Sequence, residues 1–99
     1  MIEILQTAEY ERWFKRLSDR TARVRINTRI RRVSLGNFGD TKQLESNLFE
    51  LRITYGPGYR IYFMKEGTQI IILLAGGEKS KQERDIIRAR EIATKYREI

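Results

Sequence analysis

The residues best suited to chemistry lie in segment 58–63, GYRIYF, where an arginine stands between two tyrosines. The segment alternates as a β-strand does, so Ile61 and Phe63 should point to one face of a sheet. Arg60 and Tyr62 should then point to the other face. An arginine can bind phosphate through two parallel hydrogen bonds, and a tyrosine ring can stack on or position a base. We therefore predict that Arg60 and Tyr62 form the centre of a phosphate-binding site.

Two neighbouring segments should add polar side chains to this site. In segment 49–53 apolar and polar residues also alternate, which places Glu50 and Arg52 on the same open face as Arg60. A further strand, 70–75, leads directly into a polar turn and a helix. That turn and helix supply the residues that can border the open face: Lys79, Lys81, Gln82 and Arg84. The predicted site is a shallow groove of cations with one carboxylate and one aromatic ring.

This set of side chains suits cleavage of RNA by its own 2′-hydroxyl group. Such cleavage needs a proton acceptor, cations that stabilise the crowded phosphate, and a group that holds the base. The hypothesis assigns catalytic roles to Arg60, Glu50, Arg52 and Lys79, with Glu50 as the candidate base. It assigns substrate binding to Tyr62, Lys81, Gln82 and Arg84. The alternative is structural, since Glu50 and Arg52 can also pair with charges on a neighbouring strand.

Composition limits the other functions open to the chain. The 99 residues include no cysteine and no histidine, which excludes disulfides, thiol nucleophiles, catalytic triads with histidine and zinc sites of the usual kind. We expect no metal and no cofactor. The formal net charge of +7 favours a polyanionic partner such as nucleic acid. No signal peptide or membrane-spanning run is recognisable, so we expect a cytoplasmic protein without a membrane partner.

The order of helical and strand patterns predicts the fold. A strand over 1–6 leads through the capping residue Thr7 into a helix, and Ser18-Asp19 starts a second helix that ends at Gly36. Segment 36–46 is polar and irregular, which indicates a loop. The second half predicts three strands, the last ending at Gly76-Gly77, and a helix from Ser80. We therefore predict an α+β fold with the order β-α-α-β-β-β-α, an antiparallel sheet, and helices packed on one face.

The second predicted helix carries arginines without any interrupting acid. They are Arg20, Arg23, Arg25, Arg29, Arg31 and Arg32. Such a run is typical of a solvated helix face, and it is equally typical of a contact with RNA or the ribosome.

Several of these motifs together resemble the RelE/ParE superfamily of toxins from type II toxin–antitoxin modules, and most closely its HigB-like addiction module killer branch. The motifs are Glu50-Leu51-Arg52, Gly58 to Phe63, Leu73 to Gly77, and Lys79 to Gln82 continuing through Asp85-Ile86 into an alanine-rich helix. The resemblance covers nearly the whole chain and implies a single toxin domain, 1–99, with a RelE-like fold. It implies metal-independent cleavage of mRNA on the ribosome, and neutralisation by a cognate antitoxin. Arg60 matches the arginine of the family's G-Y-R strand motif.

The sequence departs from this family pattern in its C-terminal segment. Some ribonuclease members place a tyrosine or histidine there, where this chain has Asp85, Ile86 and Ile87. The ParE branch uses the same fold to inhibit DNA gyrase, so a non-catalytic inhibitor of gyrase or of another protein is the alternative function. A basic RNA-binding module without catalysis is a third possibility.

Overall fold

A computed structural model describes residues 1–97 of the chain, which form one five-stranded sheet with helices on both faces. The elements along the chain are β1 (Glu3–Gln6), α1 (Ala8–Arg16), α2 (Arg20–Ser34), β2 (Thr41–Glu45), β3 (Leu48–Ile53), β4 (Tyr59–Glu66), β5 (Ile70–Glu78), a 3-10 helix (Lys79–Lys81) and α3 (Gln82–Arg97). The α+β class is as predicted.

The sheet is mixed, so the prediction of a purely antiparallel sheet is wrong. The strand order is β1-β5-β4-β3-β2; the strands from β2 to β5 pair antiparallel, whereas β1 runs parallel to β5. A parallel pair needs a long connection, and α1, α2 and the strands β2 to β4 supply one between β1 and its partner. Strand β2 lies where a loop was predicted. It is an edge strand whose residues are exposed or half-buried, so it has no apolar alternation that could reveal it.

The predicted ends of the first two helices are confirmed. Thr7 caps α1, with its hydroxyl accepting a hydrogen bond from the Tyr10 amide, and Asp19 caps α2 by accepting from two amides of its first turn. Gly36 follows the end of α2 in a left-handed conformation (φ +90°) that favours glycine. These residues fix where α1 begins and where α2 begins and ends.

Helices α1 and α2 cover the first face of the sheet. The buried residues there come from both helices and from alternating positions of the strands: Tyr10, Ala22, Ile26, Val33, Leu51, Ile53, Tyr59, Ile61, Phe63, Ile71 and Leu73. The predicted helical stripes and the alternation of β3 and β4 account for this core.

Helix α3 packs on the opposite face, which corrects the prediction that one face is free of helices. Its residues Ala89, Ile92 and Ala93 are buried against a second apolar cluster. The strands contribute Leu48, Tyr62, Met64, Ile72, Leu74 and Ala75 to that cluster. Strand β5 is therefore apolar on both sides because helices cover both of its sides.

Two glycines continue β5 instead of ending it. Gly76 faces α1, and a Cβ there would stand 2.4 Å from the Trp13 ring. Gly77 faces α3, and a Cβ there would stand 1.9 Å from Asp85 Oδ2. Side chains from the two helical layers therefore occupy the positions that side chains of residues 76 and 77 would take. The strand runs on to Glu78, and α3 starts at Gln82 after the 3-10 helix, not at Ser80.

Candidate functional site

The ends of three strands bring the predicted arginines together. Arg52 on β3 lies directly opposite Arg60 on β4, and Arg60 lies opposite Gly77 on β5. Like charges in directly opposed positions repel each other and favour an anion between or above them. This pairing places Arg52 and Arg60 side by side, as the site prediction requires.

Glu50 lies one row further into the sheet, where α3 covers it. Its side chain is fully buried, and its two oxygens accept hydrogen bonds from Arg52 Nε at 3.0 Å and Gln82 Nε2 at 2.6 Å. The predicted position of Glu50 on an open face is therefore wrong. A carboxylate in this setting holds Arg52 and Gln82 in place, because each of its oxygens binds one of those two side chains.

Tyr62 is opposite Glu50 on β4 and is also fully buried. The prediction that its ring is free to stack on a base is corrected, because α3 lies over it. Its hydroxyl is buried and has no hydrogen-bond partner within residues 1–97. Burial raises the pKa of the Tyr62 hydroxyl, and the charges of Glu50 and Asp85 raise it further.

Arg60 and Lys79 line a cavity beside the turn between β3 and β4. The cavity has a volume of about 210 Å³, and its other lining residues are 53–58. Arg60 is half-buried, and its Nε atom has no hydrogen-bond partner in the part of the chain that the structure describes. The Lys79 amide donates to the Gly58 carbonyl at 2.9 Å, which fixes the 3-10 helix beside this turn. The arrangement leaves two cationic side chains next to one space that is large enough for a phosphate group.

The remaining predicted binding residues lie along the 3-10 helix and the start of α3. Lys79, Lys81, Gln82 and Arg84 border a second cavity of about 490 Å³. Lysines 79 and 81 and Arg84 are exposed, whereas Gln82 is half-buried through its bond to Glu50. We refer to Arg52, Arg60, Lys79, Lys81 and Arg84 together as the basic rim.

Asp85 is a site residue that the sequence reasoning did not select. It lies in the first turn of α3 and is buried. Its Oδ1 is 3.4 Å from Arg84 Nε, whereas its Oδ2 has no hydrogen-bond partner among the described residues. Oδ2 fits against the backbone of Gly77, opposite Arg60. Burial raises the pKa of the Asp85 carboxyl above its ordinary value, although Arg84 opposes this shift. The glycine at 77 was the available signal, because a glycine inside a strand indicates close approach of another group.

The site can bind anions through side chains alone. Within residues 1–97 no group of histidine, cysteine, aspartate or glutamate side chains is placed to hold a metal ion. None of the described helices has the length and apolar character that crossing a membrane requires. The chemistry on offer is therefore that of guanidinium and ammonium groups supported by buried carboxylates.

Comparison with known families supports a toxin of this type. Residues 12–97 match the family model of the phage-derived protein Gp49-like (DUF891) family. The chain belongs to the Gp49-like family. This is a RelE-like family of toxins from toxin–antitoxin modules, so the resemblance is confirmed at that level. An uncharacterized protein of Haemophilus influenzae is 42% identical to this Gp49-like protein over 92 residues, which is 93% of each chain.

Proposed function

We propose that this Gp49-like protein is a HigB-type toxin that cleaves mRNA on the ribosome. The observation that carries the proposal is the adjacent pair Arg52 and Arg60, with Lys79 beside Arg60 at a phosphate-sized cavity. Arg60 and Lys79 at this cavity, with Arg52 opposite Arg60 on the neighbouring strand, suit the extra negative charge of a phosphate under attack. The net charge of +7 supports a nucleic-acid substrate over a neutral one.

The proposed reaction uses the 2′-hydroxyl of the RNA itself. The 2′-hydroxyl gives its proton to water, the 2′-oxygen forms a bond to the adjacent phosphorus, and the bond from phosphorus to the 5′-oxygen breaks. The leaving 5′-oxygen takes up a proton from water. One product then ends in a 2′,3′-cyclic phosphate and the other begins with a 5′-hydroxyl. In this scheme Arg60 and Arg52 stabilise the charge on the non-bridging oxygens, and Lys79 holds the RNA backbone. The ribosome supplies the extended conformation of the mRNA, which reduces what the toxin must do to positioning and charge stabilisation.

In this proposal Glu50 positions Arg52 and is not the general base that the sequence analysis expected it to be. Its oxygens bind Arg52 and Gln82, and the side chain is fully buried. A buried carboxylate with both oxygens bonded is poorly placed to reach a 2′-hydroxyl on the surface. It instead fixes the guanidinium of Arg52 in one orientation, as supporting groups do in preorganised sites. Lys81, Gln82 and Arg84 extend the surface that holds the strand.

The test is to map RNA 5′ ends in cells after brief induction of the toxin. The expected cuts lie inside coding regions, carry 5′-hydroxyl groups, and disappear when a drug empties ribosomes of mRNA. Arg60→Gln should lower the cleavage rate by about 10²- to 10³-fold, the usual loss when one stabilising group of a transition state is removed. Arg12→Gln, at an exposed arginine of α1, removes the same charge and should leave cleavage unchanged.

Two results would contradict the interferase proposal. Growth arrest that persists in Arg60→Gln with unchanged thermal stability would show that the toxin acts elsewhere. Growth arrest of the wild type without any such cuts would favour binding to DNA gyrase or another protein. A cognate antitoxin is the further partner that this toxin family implies. We propose that it is acidic where it meets the basic rim, because charge complementarity selects such partners.

A further inference from the structure

A second basic groove lies on the other side of Arg52, between α2 and the end of β3. Its volume is about 300 Å³. The lining residues combine four arginines with one acidic residue: Arg25, Thr28, Arg29, Arg32, Asp40, Arg52, Ile53 and Thr54. We call this feature the α2 groove. Helix α2 itself contains no acidic residue, so Asp40 is the lining group that opposes the arginines.

Two of these arginines are held in place by the fold. Arg29 donates hydrogen bonds to the carbonyl oxygens of Arg52, Phe38 and Asp40, which ties α2 to β3 and to the preceding loop. The Arg25 guanidinium lies 4.9 Å from the centre of the Tyr55 ring. A ring contact of this kind holds a guanidinium in position and leaves the N–H groups at the edge of the guanidinium free to donate hydrogen bonds.

The groove carries uncompensated positive charge. Partial burial lowers the pKa of the Arg29 guanidinium, the charge of Arg32 lowers it further, and Asp40 has the opposite effect. Asp40 is also 3.9 Å from Arg52, so one exposed carboxylate is shared among several cations. Arg25 and Arg32 are both exposed and face an anion that approaches from solvent.

The α2 groove is continuous with the cavities of the basic rim. Ile53 and Thr54 line both the α2 groove and the cavity beside Arg60. Lys79 in turn lines both that cavity and the one along the 3-10 helix. A single path of cations therefore runs across one end of the sheet from α2 to the start of α3.

We propose that the α2 groove binds backbone phosphates of the RNA strand that flanks the cleaved bond. The inference rests on the proposed function, because it takes Arg60 as the position of the cut. The continuous path and the repeated guanidinium groups fit a chain of regularly spaced phosphates. The groove would thus determine how much of the strand the toxin grips.

The test measures binding of two labelled RNA oligonucleotides that carry 2′-O-methyl groups throughout and therefore cannot be cleaved. One has roughly four nucleotides and the other roughly twelve, a range that covers common single-strand site sizes. The double variant Arg25→Gln/Arg32→Gln should lower the affinity for the longer oligonucleotide by about fivefold per lost contact. Its affinity for the shorter oligonucleotide should be unchanged. Its salt dependence, the slope of log K against log salt, should become shallower by about 0.7 per lost phosphate.

The matched control is the double variant Arg20→Gln/Arg31→Gln, which removes the same charge from α2 outside the groove. It should bind both oligonucleotides almost as the wild type does. Asp40→Asn should tighten binding of the longer one, because it removes the opposing carboxylate. Equal losses in the two double variants would overturn the proposal, since only net charge would then matter.

A binding measurement with poly-L-glutamate shows whether the groove prefers RNA or an acidic protein. If Arg25→Gln/Arg32→Gln lowers the affinity for poly-L-glutamate as much as it lowers the affinity for RNA, the groove is a general anion surface and the proposal fails. Because the assay uses uncleavable RNA, its outcome is independent of the 5′-end mapping. If the wild type cleaves RNA in cells and the groove variant binds the longer oligonucleotide as tightly as the wild type does, only the α2 groove proposal is rejected. If the wild type does not cleave RNA in cells, the interferase proposal is rejected.

Discussion

Glu50 and Asp85 are two carboxylates buried beneath the same basic rim, and their surroundings differ in one respect. Both oxygens of Glu50 accept short hydrogen bonds, from Arg52 and Gln82. Asp85 has Arg84 near one oxygen at 3.4 Å, whereas its other oxygen lies against Gly77 without a partner. The first carboxylate is fully satisfied by the fold, and the second is only half satisfied.

This difference in hydrogen bonding should give Glu50 and Asp85 opposite effects on the stability of the protein. A buried charge with its full set of hydrogen bonds holds its partners rigidly, whereas a buried oxygen without a partner loses the hydration it would have in the unfolded chain. We infer that Glu50 fixes the orientation of Arg52, and that Asp85 reduces the stability of the protein where α3 meets the sheet. Proteins commonly tolerate such a loss at functional sites.

Of the two carboxylates, Glu50 should cause the larger loss of stability when it is removed. Glu50→Ala should lower the free energy of unfolding by about 3 kcal/mol, because it leaves Arg52 and Gln82 without their shared acceptor in a buried place. Arg52 is 31% exposed and can recover some hydration, so we expect the lower end of the usual range for broken buried pairs. Urea unfolding monitored by the fluorescence of Trp13 measures the change.

Glu45 provides the control for this experiment. Its contact with Arg90 Nε, at 2.7 Å, is shorter than the 3.0 Å between Glu50 and Arg52, but its side chain is 41% exposed. Glu45→Ala should therefore cost less than about 1 kcal/mol, as exposed ion pairs usually do. If the two variants lose equal stability, burial is not what distinguishes Glu50, and its positioning role is in doubt.

The half-satisfied carboxylate should be revealed by pH. The pKa of Asp85 is raised in the folded state above its ordinary value of 3.8, chiefly by burial, so the folded protein holds this proton more tightly than the unfolded chain. Its contribution to stability is therefore most favourable at low pH. That contribution is lost as pH rises from 3.8 through the raised pKa of the folded state.

The matching variant is Asp85→Asn, which cannot titrate. As pH rises through this window, the wild type should lose unfolding free energy relative to the variant. Glu83→Gln changes an exposed carboxylate in the same helical turn and should show no comparable trend. A difference between the wild type and Asp85→Asn that does not change with pH would mean that the Asp85 carboxyl is not destabilised by burial.

Local signals in the sequence were sufficient for much of the fold. The caps at Thr7 and Asp19 and the end of α2 near Gly36 follow from short-range backbone chemistry, and the structure has them where predicted. Residues 70–75 of β5 form an uninterrupted apolar run, a pattern typical of a strand covered on both faces. The prediction of helices on one face contradicted that run, and the run was the better guide.

Long-range packing is what the sequence could not supply. Alternation placed Arg52 and Arg60 on one face of neighbouring strands, and the register puts them directly opposite each other. The same alternation gave no sign that α3 crosses that face and buries Glu50 and Tyr62. The edge strand β2 was missed because, with both sides largely exposed, it needs no apolar pattern.

The smallest expected change in unfolding free energy comes from Tyr62→Phe, which tests how well Asp85 is satisfied compared with Glu50. Its hydroxyl is buried without a partner, close to the two carboxylates that raise its pKa. Tyr62→Phe removes this group and keeps the ring, so the unfolding free energy should stay unchanged or rise by up to roughly 1 kcal/mol. Tyr62→Ala, which also removes the ring from the second core, should cost about 3 to 5 kcal/mol. A loss above about 1 kcal/mol in Tyr62→Phe would mean that the hydroxyl does have a partner, such as a bound water between Tyr62 and Asp85, and that the second carboxylate is better satisfied than its protein contacts indicate.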